Sequence, residues 1–145
     1  MEKTTVTVSF TLIGDDFDAN HVTQVLGVQP TVIQNRNDLL KTGKPCGYTA
    51  WEIETQLEES TDTEVQLNKV IAPFFDKVDL LNRLRKECNA EWQVLIVVYS
   101  SEDGPPMIGF SREQLKFLGA IEAKVDFDFY VLALRKEIEI SWDEL

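Results

Sequence analysis

Residues 91–100 read Glu91-Trp92-Gln93-Val94-Leu95-Ile96-Val97-Val98-Tyr99-Ser100. This is the longest β-branched and aromatic run in the chain, with no Gly, no Pro and one charge at its start. Such a run reads as a strand apolar on both faces, buried in the middle of a sheet. The half-polar stretches elsewhere are then expected to flank it.

Immediately before it, residues 61–88 carry a helical pattern. Leu67, Val70, Ile71, Phe74, Phe75, Val78, Leu81 and Leu84 recur at three- and four-residue intervals. Thr61 or Thr63 is the expected cap. Pro73 inside the pattern predicts two helices or one kinked helix. Further back, residues 48–57 alternate, with Trp51, Ile53, Thr55 and Leu57 against Glu52, Glu54, Gln56 and Glu58. Gly43, Pro45 and Gly47 mark residues 37–48 as a long loop, and residues 31–36 before it are expected to form a short strand. Asp18 is placed to cap a short helix through Val28 that uses Val22, Val25 and Leu26 and ends near Gly27. Residues 4–13 alternate cleanly, Val6, Val8, Phe10 and Leu12 against Thr5, Thr7, Ser9 and Thr11.

After the central run, residues 101–106 are a turn-rich loop and 107–110 a short expected strand. Ser111 predicts an N-cap for a helix with Leu115, Leu118 and Ile121 as its apolar stripe. In 124–132, Val125, Phe127, Phe129 and Val131 face one way, and Asp126, Asp128, Tyr130 and Leu132 the other. The alternation of Ile138, Ile140 and Trp142 makes 134–142 a last strand or an extended tail. Residues 17–28 and 110–121 each open on Phe and a capping residue and close on Leu-Gly. The expected architecture is one domain over 1–145. Its class is α+β: a mixed or antiparallel sheet with helices on one face, and two ferredoxin-like β-α-β halves around a long helical middle.

The chain has 145 residues, long enough for an unstapled core. Lys plus Arg number 14 and Asp plus Glu 25, so the net charge is 14 − 25 = −11. That balance argues against nucleic acid as a partner. The nearest basic cluster, Arg83, Arg85 and Lys86, ends a helical pattern, where cations complement the dipole. Cys46 and Cys88 have no metal-ligand spacing and suit a reducing compartment. The first residues lack the basic and apolar regions of a signal peptide, and no apolar run approaches the ~20 residues that span a bilayer. The expectation is a cytoplasmic protein with no membrane partner.

Several marks occur together in order. They are Phe10-x-Leu12-x-Gly14-Asp15-Asp16-Phe17-Asp18, Leu26-Gly27-Val28-x-Pro30-Thr31, Gly47, and Trp51-Glu52-Ile53-Glu54. Phe110-Ser111, Leu118-Gly119 and Asp126-Phe127-Asp128-Phe129-Tyr130 follow. From about residue 8 to 131 the chain resembles a bacterial family of small domains, domain of unknown function 4279. The resemblance implies an α+β fold and brings no catalytic residues. Some relatives look like immunity proteins of polymorphic-toxin systems, which is the functional hint the resemblance adds.

His21 is the only histidine and stands without a nucleophile elbow or similar motif. Cys46 lies in the Gly- and Pro-rich loop, where it is a candidate reactive thiol; Cys88, at a helix end, reads as a small hydrophobe. The strand carboxylates suit Ca²⁺, Mg²⁺ or glycosidase chemistry by type but have no diagnostic spacing. A solvated sheet face is the favoured reading of them. Acidic residues continue through Glu59, Asp62 and Glu64, with no Lys or Arg between Glu52 and Glu64. A concentration of this kind attracts a basic protein partner, as well as aiding solubility. The leading expectation is therefore a non-enzymatic acidic binding module, an immunity protein neutralising a basic toxin domain, with no cofactor or metal. Its expected contact residues are Asp15, Asp16, Glu52, Glu54, Glu58, Asp126, Asp128 and Tyr130, or the 37–48 loop. The alternatives are a metal- or small-ligand-dependent enzyme using Asp126 and Asp128, and a housekeeping domain.

Overall fold

The computed structural model describes residues 2–132. The strand or tail expected over 134–142 lies outside them. The strand at the centre is β1, Thr5–Gly14. Its period-2 pattern puts Val6, Val8, Phe10 and Leu12 on one face, all fully buried. Among the described residues, five further strands join it in one sheet: β2 (Val32–Gln34), β3 (Thr49–Glu54), β4 (Glu58–Glu59), β5 (Ala90–Ser100) and β6 (Lys124–Val131). Their order is β2-β3-β1-β5-β6, with β4 pairing the start of β1. Neighbours run antiparallel except β5 and β6, which are parallel.

Among the described residues, four α-helices pack on one face. They are α1 (Ala19–Leu26), α2 (Thr63–Ile71), α3 (Val78–Glu87) and α4 (Arg112–Ala120). Val22, Leu26, Leu67, Val70, Ile71, Leu81, Leu84, Phe117 and Leu118 join the inward residues of β1, β3 and β5 in a single core. Phe10 lies at its centre, stacked on Trp92 at 4.7 Å and tilted against Phe74 and Phe117. The two buried indoles satisfy their N–H groups on the helix layer: Trp51 Nε1 donates to Thr23 Oγ1 (3.0 Å) and Trp92 Nε1 to the Leu81 carbonyl (2.9 Å). Each indole therefore pins a helix to the sheet as well as filling the core.

The two β-α-β halves are present, in different forms. β1 and β2 are each antiparallel to β3, which lies between them, so the first half is split by β3. In the second, β5 and β6 are adjacent and parallel, joined through α4. Asp18 caps α1 as expected, its side chain accepting from Asn20 N, and Gly27 ends the helix at φ +67°. Pro73 falls in a 3₁₀ turn, Ala72–Phe74, that separates α2 from α3.

Several expectations need correction. The run 91–100 is not the sheet's centre: β1 is, and β5 is buried on one face only. Its outer residues Gln93, Leu95, Val97 and Tyr99 are half-buried, because no described helix lies over them. Asp62, not Thr61 or Thr63, caps α2, accepting from Glu64 N. Met107 to Phe110 form no strand; Met107 makes an isolated parallel bridge to Asp62 at the head of α2. On α4, Leu115 is exposed and Phe117 takes its place in the core. The phase is set by a capping box in which Ser111 and Gln114 bond reciprocally. Buried Gln114 also donates to the Glu64 carbonyl, fixing α4 against α2.

Candidate functional site

The outward faces of β1, β3, β5 and β6 share the side of the sheet opposite the helices. Register assigns each position. Thr11 of β1 lies between Glu52 of β3 and Gln93 of β5, and Gln93 neighbours Lys124 of β6. The next row runs Glu54, Ser9, Leu95, Asp126. Beyond it Thr7, Val97 and Asp128 align, then Thr5, Tyr99 and Tyr130. Glu52, Glu54, Asp126, Asp128 and Tyr130 therefore occupy one face, and among the described residues no helix covers it.

The four carboxylates do not form a cluster. Glu54 and Asp126 are three strand steps apart, about 14 Å at ~4.8 Å per step. They form two acidic banks. Between them lie the hydroxyls of Thr5, Thr7, Ser9 and Thr11 and the apolar side chains of Leu95, Val97 and Tyr99. Ser9 and Thr11 are buried even though they point outward, because longer neighbours on β3 and β5 rise on either side. The result is a groove along β1 with an acidic wall and an apolar wall. At one end Tyr99 stacks on Tyr130, ring centroids 5.3 Å apart at 12°.

At the other end the groove opens into two adjoining depressions. One, of about 520 Å³, is bordered by Gly14, Asp15, Asn89 and Glu91; the other, of about 160 Å³, by Ser9, Thr11, Glu52 and Leu95. Ile13, Tyr48 and Gln93 line both. Gly47, at φ +85°, brings the chain from the 37–48 loop into β3 and sets Tyr48 at this rim.

Glu52 is the half-buried carboxylate of the face. Thr11 Oγ1 donates to its Oε1 at 3.2 Å. Burial, then the charge of Glu54, push its pKa up, and the Thr11 and Ser9 hydroxyls partly oppose the shift. The Tyr48 phenol is also pushed up, first by its hydrogen bond with Cys46.

The remaining expected contact residues divide. Asp15 and Asp16 are exposed just past the end of β1, with Asp15 at the rim of the larger depression. Glu58 does not belong to the face. It lies opposite Val6, on the helix side, where Lys69 Nζ is 2.7 Å away and Gln66 Nε2 donates at 3.2 Å. These contacts hold its carboxyl below the usual range. The alternation from Glu52 to Glu58 breaks because β3 stops at Glu54 and β4 starts a new register at Glu58. Glu59, opposite Thr5, takes the outward position instead. Leu95, Gln93 and Tyr48 were missing from the expected site; the first two follow once β5 is known to have one open face.

Elsewhere, His21 is half-exposed on α1, 3.5 Å from Glu87 Oε2. Burial raises the Cys88 thiol, an environment opposed to thiolate chemistry. Among the described residues, no group of three His, Cys, Asp or Glu side chains is arranged to hold a metal, and no helix is long and apolar enough to cross a membrane.

Among the described residues, a mixed sheet with four helices on one face and a grooved, acidic opposite face defines an α+β domain. The chain belongs to the family described as Domain of unknown function (DUF4279), whose model matches residues 3–132. Comparison with curated proteins and with solved structures finds no match in either.

Proposed function

We propose that this protein is a non-enzymatic binding module whose acidic sheet face receives a basic protein partner. The specific form we favour is an immunity protein that neutralises a basic bacterial toxin domain. The reading rests on one observation: Glu52, Glu54, Asp126 and Asp128 lie on a single face left open among the described residues. A net charge of −11 favours approach of a basic partner at long range, and the groove offers apolar surface for short-range contact. A toxin nuclease is basic because it must bind nucleic acid, so its neutraliser is expected to be acidic. On this reading the protein works in the bacterial cytoplasm, where Cys46 and Cys88 remain free thiols.

The test is a pull-down and titration against the protein encoded immediately upstream. Saturable binding that weakens in Glu54→Lys and Asp128→Lys supports the reading. A neighbour with no toxin-like character, together with no measurable binding, sinks it.

A further inference from the structure

We propose that the depression between Tyr48, Thr11 and Gln93 is the seat for one lysine or arginine side chain of the partner, with Glu52 as its counter-charge. This rests on the reading above and narrows it from a face to a position.

The depression supplies what a long cationic side chain needs. Ile13, Leu95 and the Tyr48 ring provide apolar walls for an aliphatic stem. Glu52 lines the same depression, its carboxylate partly withdrawn from water. Among the described residues no Lys, Arg or His pairs with it, whereas Glu58, Glu87, Glu122 and Asp126 each have a cation within 4.0 Å. Thr11 Oγ1 fixes one carboxylate oxygen, so the acceptor is oriented before a ligand arrives. A partly desolvated, pre-oriented charge discriminates its partner far more than the exposed Asp126 and Asp128 do. The adjoining larger depression, with Asp15 and Glu91 on its border, leaves room for the chain that carries the cation.

The test is an NMR titration of the full chain with Nα-acetyl-arginine amide, Nα-acetyl-lysine amide and the uncharged isostere Nα-acetyl-citrulline amide. The cationic probes are expected to give saturable shifts at the Thr11, Tyr48 and Glu52 amides, and the citrulline probe none. Glu52→Gln is expected to abolish the saturable shifts and Glu54→Gln to keep them. Shifts spread evenly over both acidic banks, shifts that survive Glu52→Gln, or no saturable shift at any soluble concentration overturn the seat. None of those results touches the acidic-face reading, which the upstream-partner titration decides. Failure of that titration with the probe shifts intact overturns the partner and leaves a cation seat.

Discussion

Glu52 and Glu58 belong to neighbouring acidic segments, and the fold moves their proton affinities in opposite directions. Glu52 is raised, so between the ordinary carboxylate pKa and its raised value the native state holds more protons than the unfolded chain. Its contribution to stability therefore falls as pH rises through that window. Facing it are Glu54 on its own strand, Tyr48 from the preceding loop, and the Thr11 and Ser9 hydroxyls of β1. Glu52→Gln is expected to be at least as stable as the parent at neutral pH, and to flatten the pH dependence just above the ordinary carboxylate range. Urea unfolding across that range checks it; a clear loss at pH 7 would mean that the hydroxyl bonds outweigh the cost of burial. Glu58 is lowered, chiefly by Lys69, so its contribution is present above the unfolded value and disappears as pH falls through the native one. Glu58→Gln is expected to lose stability at neutral pH and to lose less than the parent does on acidification.

The elements differ in how far local sequence decided them. Three helix ends were legible, since Asp18, Gly27 and Ser111 act where their chemistry placed them, whereas α2 is capped by Asp62 and not by either expected threonine. Ser111→Ala is expected to cost about 1 kcal/mol by urea unfolding, the usual value of an N-cap. Gln114 was not legible as a core residue, because nothing in a nine-residue helix shows that a glutamine will bridge two helices. Gln114→Ala strands the Glu64 carbonyl contact and is expected to cost roughly 1–3 kcal/mol, more than the loss of Ser111. Strand phase was legible in β1, where residues 5–12 alternate polar and apolar without interruption. It was lost between β3 and β4, where a three-residue break reset the period and turned Glu58 to the other side. Gly14 shows a constraint with no local signature. A Cβ there would stand 2.9 Å from Ala90 Cβ and 3.1 Å from the Asn89 carbonyl. Gly14→Ala is therefore expected to cost about 1–3 kcal/mol, as overpacking does.

At the scale of the molecule, the composition pointed to an acidic surface, and the topology decided where the acid lies. The order β2-β3-β1-β5-β6 sets the outward carboxylates of β3 and of β6 on opposite flanks of β1 and β5, so one wall of the groove is acidic and the second acidic bank lies beyond its apolar wall. Strand order depends on contacts between distant residues, and no stretch of the chain announces it. Partner affinity is expected to fall steeply with added salt, because the two banks act over a distance comparable with the ~8–10 Å Debye length. On the binding reading proposed above, reversing both banks together is expected to slow association by a larger factor than it speeds dissociation, measured by stopped flow at low and high ionic strength.

The placement of β1 in the middle of the sheet also bears on how the protein is made. The ribosome releases this strand before either of its two long partners, and one of them, β5, begins only at Ala90. At about 5–20 residues per second, the interval between Gly14 and Ala90 lasts roughly 4–15 s. Throughout it, the most apolar side of the nascent chain has one flank with nothing to zip against, which makes this window the natural point of engagement for a chaperone.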